Sequence, residues 1–213
     1  MPRRVYKNTV KKIQKRLIKE VNGRHFIISR KGGEIVNQQD HSACMLPGLL
    51  ALGAHDEHDL PTMELAGKLM ESCYRMYSDQ KSGLAPAIIA TTGEPIDKNW
   101  RQGPEVMQSL FILWRVTKDP KYRRWGVEIA QAINRRTKVG TGGYAGVVDV
   151  TVFPPKLADR QDGMATIIRF FYLLCTTPEY LPLDEWVFSK EGHPFPINWK
   201  GTAYSKGITS QPE

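Results

Sequence analysis

No apolar run in this 213-residue chain approaches the roughly 18–20 residues that a bilayer-spanning helix needs, so no membrane span is expected. The opening stretch MPRRVYKNTVKK has no apolar centre of the secretory-leader kind, which makes the cytoplasm the default expectation. Cysteine is scarce. Cys44, Cys73 and Cys175 show no C-x-x-C spacing, which excludes a zinc-finger type of metal site. The strand–helix–strand alternation of a parallel sheet is missing as well. So are the helix-turn-helix and aromatic RNA-binding signatures.

What the chain does have in excess is positive charge. The formal net charge is +8, concentrated in MPRRVYKNTVKKIQKRLIK and KDPKYRR. A basic excess suits nucleic acid or an anionic membrane. Without a recognition signature, solvated helix faces are the simpler reading, and no nucleic-acid partner is expected.

Periodicity predicts a mainly α protein. Val10, Ile13, Leu17 and Val21 form one helical face, which Asn22-Gly23 is expected to stop. A hairpin around Gly32-Gly33 follows. HSACMLPGLLALGAH reads as a helix with a kink or a late start at Pro47. The next helix places Met63, Ala66, Leu69, Met70, Cys73 and Met76 on one side. The stretch 81–102 is rich in Gly, Pro and Thr and reads as a long irregular loop. Helices then begin near Pro104 and Pro120, the second with Tyr122, Trp125, Ile129, Ala132 and Ile133 inward. A glycine-rich turn with a hairpin or loop precedes a last helix in LADRQDGMATIIRFFYLLC, where Cys175 reads as a buried free thiol. Cys44 and Cys73 fall on separate helices, and the residues alone leave their pairing open. The expected domain is 1–197, followed by a loose polar tail at 198–213.

Four motifs occur in order: DHSACMLPGLLALG at 40–53, GPEVMQSLFILWRVTKDPKYR at 103–123, GGYAGVVDVT at 142–151 and LPLDEWVFSKEGHPFPI at 181–197. Together they resemble the class I α-1,2-mannosidases, glycoside hydrolase family 47. The resemblance implies an (α/α) toroid of helical hairpins with Ca²⁺ at its floor, of which this chain corresponds to about the C-terminal half. It also implies a Cys44–Cys73 disulfide, and with it an ancestry in the oxidising secretory pathway. The family's chemistry is inverting hydrolysis, with an acid and a base roughly 6.5–9.5 Å apart across the sugar ring.

Against that pattern the chain departs at several positions. Its GPE keeps Glu105 but has Gly103 where the family has arginine, and Gln108 and Ala87 stand for glutamates. Asp162 roughly matches one family glutamate, Thr166 falls where another is expected, and Lys190 replaces a Ca²⁺-binding threonine. An ammonium among fewer carboxylates opposes a divalent cation. The expectation is a lost calcium site with no cofactor, Lys190 replacing the metal and pairing with Glu105, Asp162 or Glu191.

The candidate catalytic residues are therefore Glu105, Lys190 and His41, although a hydrogen-bonded structural histidine explains His41 equally well. Trp100, Arg101, Asp162, Glu191, His193 and Phe153 are candidate ligand contacts, with turn formation the simpler reading of His193 and packing that of Phe153. His55 and His58 have metal-like spacing, but an acidic inter-helix loop explains them better. The expected function is a non-hydrolytic catalyst acting on a small molecule in the remnant cavity. A non-catalytic pseudo-mannosidase and a mannosidase completed by another chain are the alternatives. Helices facing the missing half would expose an apolar edge, so a homodimer, or a partner covering that edge, is expected.

Overall fold

The first helix ends four residues before its hydrophobic spacing does. In the computed structural model, which describes residues 2–158 and 163–198, α1 spans Pro2–Leu17, and Ile18–Val21 (β1) turns back onto Arg24–Ile27 (β2). Asn22 and Gly23 have φ of +51° and +75°, the pair of left-handed residues that a two-residue hairpin turn requires. Asn-Gly thus makes a hairpin here and is not a helix stop. The second hairpin, β3 (Ser29–Lys31) with β4 (Glu34–Val36), closes over Gly32-Gly33 as the sequence predicts. Gln39, in β5 (Gln38–Asp40), is buried; its side-chain carbonyl accepts the Ile27 N–H at 2.8 Å.

A 3₁₀ turn at His41–Met45 leads into α2 (Leu46–Glu57), with Pro47 in its first turn, so the helix starts late and is not kinked. The α2–α3 and α4–α5 pairs then repeat one local chemistry. Between α2 and α3 (Leu60–Ser78), His58 takes a left-handed φ of 54° and the Asp59 carboxylate caps Thr62 N–H at 3.1 Å. Between α4 (Glu105–Thr117) and α5 (Pro120–Thr137), Lys118 takes a φ of 60° and Asp119 caps Lys121 N–H at 2.9 Å. A left-handed residue, an Asp cap and a proline in the first turn reverse the chain within two residues. The outcome is two helical hairpins.

The stretch 81–102 is more ordered than its composition predicts. Ile88–Ala90 (β6) pairs with both β5 and Pro95–Asp97 (β7) in a three-stranded antiparallel sheet. The last helix, α6 (Met164–Cys175), begins after Gly163, later than LADRQDG predicts; residues 159–162 lie outside the described residues. Trp186–Phe188 (β8) and Pro194–Pro196 (β9) form a closing hairpin. Of the polar tail, only Asn198 is described.

α4 packs against α2, α5 and α6. Leu110, Phe111 and Leu113 are fully buried beside Leu50, Leu69, Met70 and Phe170, and each such side chain contributes roughly 1.5–3 kcal/mol. Ser109 joins α4 to α2: its Oγ donates to Cys44 O at 2.6 Å and accepts Gly48 N–H at 3.0 Å. The structure joins Cys44 to Cys73 in a disulfide with a Cα–Cα distance of 5.8 Å, tying the 3₁₀ turn to α3.

Two readings are corrected. Cys175 is exposed, because α6 turns Ile167, Phe170, Leu173 and Leu174 inward and leaves Ile168, Tyr172 and Cys175 on the opposite face. The basic KDPKYRR segment is more than a solvated face. Arg123 stacks over Trp114 at 4.3 Å and donates to the carbonyls of Leu174 (2.8 Å), Cys175 (3.0 Å) and Thr176. Buried Arg115 binds Leu173 O, Pro178 O and Tyr180 O at 3.1, 2.6 and 3.0 Å. Two cations thereby sit where the dipole of α6 ends negative.

Candidate functional site

Three segments distant in sequence converge on His41. The 3₁₀ turn begins there, held by a backbone hydrogen bond from His41 N to Ala87 O at 2.8 Å. Tyr77, in the last turn of α3, lies with its hydroxyl 2.7 Å from His41 Nε2. From the N-terminus of α4, Glu105 brings Oε2 to 3.5 Å from His41 Nδ1, an ion-pair distance at the limit of hydrogen bonding.

Protonation states follow from the surroundings. Burial raises the Tyr77 phenol well above its usual pKa, and the Glu105 charge adds to the rise, so Tyr77 is a neutral O–H donor. With Tyr77 as the donor to Nε2, the ring proton lies on Nδ1, facing Glu105. For Glu105, burial pushes the carboxyl up from 4.5, but the neighbouring His41 ring and the backbone N–H at the helix start outweigh it. The net displacement is downward, so Glu105 is an anion at neutral pH. The arrangement is a chain running Tyr77 O–H, His41, Glu105 carboxylate.

Around this chain lie polar atoms without partners. Trp100 Nε1, Gln102 Oε1 and Glu105 Oε2 are buried and make no hydrogen bond. The Trp100 indole faces Tyr77 closely enough to offset part of the rise in its pKa, yet it falls short of hydrogen-bond geometry. Such atoms are costly unless something satisfies them. A cavity of about 250 Å³ is lined by Asn99, Trp100, Arg101, Gln102, Gly146, Val147 and Ala158; His41, Tyr77 and Glu105 are not part of its lining.

The other sequence-derived candidates are dispersed. Trp100 is only 2% exposed, while Arg101 is exposed and pairs with Asp97 at 2.9 Å. Phe153 is 53% exposed and lies under the Arg136 guanidinium at 4.5 Å. His193 is exposed in the β8–β9 turn, where its carbonyl accepts Ser189 N–H at 2.9 Å. Lys190 is not joined to Glu105. Its side chain is 84% exposed and, among the described residues, pairs with Glu191 at 3.8 Å, one of the partners expected for it. The cause is the tight 189–193 turn, where Gly192 takes a φ of 78° and leaves Lys190 at the tip. Asp162 lies outside the described residues.

Tyr77 and Gln102 were not singled out by sequence. Tyr77 continues the Met70–Cys73 face at a further helical step, so a hydroxyl ending an apolar stripe was the available signal. Nothing local marks Gln102.

The sequence profile of glycosyl hydrolase family 47 matches residues 1–197. The chain belongs to glycosyl hydrolase family 47. It is 35% identical over 208 residues to mannosyl-oligosaccharide 1,2-alpha-mannosidase IB of Mus musculus, covering 92% of this chain and 32% of that protein. To the endoplasmic reticulum mannosyl-oligosaccharide 1,2-alpha-mannosidase of Homo sapiens it is 39% identical over 184 residues, 78% of this chain and 26% of that one. Its fold matches the alpha-1,2-mannosidase from Trichoderma reesei with a TM-score of 0.84 at 20% identity, covering 92% of this chain and 47% of the other. This family 47 chain thus spans about a third of the length of its curated relatives.

The calcium that the family fold implies can be tested against the donors present. Among the described residues, no three His, Cys, Asp or Glu side chains gather where an ion would sit. At the β8–β9 turn the Ser189 hydroxyl is engaged by the N–H groups of Glu191 and His193, at 3.2 and 3.3 Å, and an ammonium follows it. At this turn the donors described, a hydrogen-bonded hydroxyl followed by an ammonium, do not fit a divalent cation.

Proposed function

We propose that this chain uses the family 47 half-toroid for a proton-transfer reaction on a small neutral carbonyl compound, without glycoside hydrolysis. What supports this reading is the Tyr77–His41–Glu105 group, together with Trp100 and Gln102, a few residues before Glu105, which line a cavity and carry unpartnered polar atoms. Glu105, anionic and half-buried, takes a proton from carbon next to the carbonyl. The His41 ring N–H hydrogen-bonds the oxygen of the enolate that forms, and Glu105 returns its proton to the same carbon, so the ligand is epimerised with its formula unchanged. The Trp100 N–H and the Gln102 carbonyl suit hydroxyl groups of the ligand. Inverting hydrolysis would need a second carboxylate across the ring, and the described residues around Glu105 supply His41 and Tyr77 in that role's place. Lys190, at the tip of an exposed turn, takes no part.

Mannose and α-1,2-mannobiose are the first probes, chosen from the names of the relatives. In D₂O, NMR of mannose with the purified chain should show deuterium entering at C2, and the exchange should disappear in Glu105→Gln. Release of mannose from the disaccharide, dependent on Glu105, would overturn the proposal in favour of a hydrolase. Saturable mannose binding with neither exchange nor cleavage would overturn it in favour of a binding protein.

A further inference from the structure

Most glycines of this chain that sit in turns are there for their backbone: Gly23, Gly32, Gly33 and Gly192, for example, all have positive φ. Gly103 is different. Its φ is not in the left-handed region, so φ itself does not call for glycine. What opposes a side chain is the space itself. A Cβ built at Gly103 would overlap Glu105 Oε2 and would stand 3.2 Å from both Glu105 Cδ and His41 Nδ1. The carboxylate of Glu105 occupies the position where the side chain of residue 103 would begin.

We propose that Gly103 is a positioning residue: the absence of its side chain lets Glu105 fold back over the 103–104 backbone and meet His41. Three observations carry it. The overlapping atoms are the far end of a flexible side chain, so a methyl group at 103 displaces the carboxylate and leaves the fold intact. His41 cannot follow that displacement, since its backbone N is tied to Ala87 O at 2.8 Å and its Nε2 to Tyr77 at 2.7 Å. Nor does any other described cation pair with Glu105: among the described salt bridges, His41 is its partner. Gly103 and Ala87 thus stand against one histidine from two separate loops, and the small size of residue 103 is what closes the pair. The inference concerns geometry and holds whether or not a proton is transferred there, so its test reads the pair and not turnover.

The test is Gly103→Ala, followed by ¹³C NMR of the Glu105 carboxyl and ¹⁵N NMR of the His41 ring across a pH titration. The expected result is a folded protein in which the Glu105 midpoint moves upward, having lost His41, and the His41 ring signals shift. Thermal unfolding supplies the second arm. Gly103→Ala introduced into a Glu105→Ala background should cost less melting temperature than in wild type, because the closest overlapping group is gone and the unfolded chain loses entropy. Unchanged titration of Glu105 and His41 in Gly103→Ala would overturn the proposal. So would an equal loss of melting temperature in both backgrounds, which would mean that the glycine serves the backbone.

Discussion

The hydroxyl of Tyr77 and Nε2 of His41 are 2.7 Å apart, although the two residues belong to different elements, the end of α3 and the start of the 3₁₀ turn. Both are buried, so neither can replace the other with water at no cost. Tyr77→Phe keeps the ring and removes the donor. It should destabilise the protein by about 1–3 kcal/mol, the cost of leaving a buried acceptor unpaired. The same variant should change the ring-nitrogen pattern of His41 in ¹⁵N NMR, since nothing then holds the proton on Nδ1. A wild-type pattern in the variant would refute the assigned tautomer.

Glu105 makes stability depend on acid. Its folded-state pKa lies below the ordinary 4.5, so the folded protein holds the charged form better than the unfolded chain does. That contribution is complete above the unfolded-state value and is lost as pH falls through the folded-state value. The melting-temperature advantage of wild type over Glu105→Gln should therefore shrink as the solution is taken from about pH 6 to pH 3. An advantage that stays constant over this interval would remove the charge from the account.

Arg115 and Arg123 should behave as structural residues despite their charge. Arg115→Met keeps much of the packing under Phe111, 5.1 Å from the guanidinium, but strands three carbonyls. The expected cost is about 2–4 kcal/mol, read in urea unfolding. Lys118→Met, one turn away on an exposed residue, should change stability by less than about 0.5 kcal/mol.

The Cys44–Cys73 bridge closes a loop with a sequence separation of 29. Cys44→Ala/Cys73→Ala should lower stability by about 2–4 kcal/mol through the freer unfolded chain. Wild type unfolded in the presence of reductant should show a loss of similar size, and the double variant should be indifferent to reductant.

Calcium should not stabilise the protein. A ligand that binds the native state raises the melting temperature by mass action, and the described donors do not gather around an ion. Melting curves with millimolar Ca²⁺ and with chelator should superimpose, for wild type and for Lys190→Thr alike. A calcium-dependent rise in either would show that the site persists.

The hairpin of α2 and α3 and that of α4 and α5 were legible in the letters because their causes are local. Apolar residues recur at helical spacing, and Asp59 and Asp119 stand just ahead of prolines. The motifs that place the chain in family 47 are likewise contiguous strings. Asn22-Gly23 shows where local reading fails: the same dipeptide ends a helix or turns a hairpin, and only the pairing of Val21 with Arg24 decides. The candidate site was half legible. Glu105, His41 and the departure at Gly103 could be singled out one by one, but their contact could not.

The sequence by itself determined the helical class, the helix reversals, the family and the identity of the residues present, since each follows from spacing or from neighbours along the chain. Tertiary structure alone decided that Tyr77 meets His41, that Arg123 caps α6, that Lys190 points to solvent and that Glu105 fills the space left by Gly103. Those are relations between side chains from different elements. Their geometry depends on how helices pack and where turns aim a residue, which no one-dimensional pattern encodes.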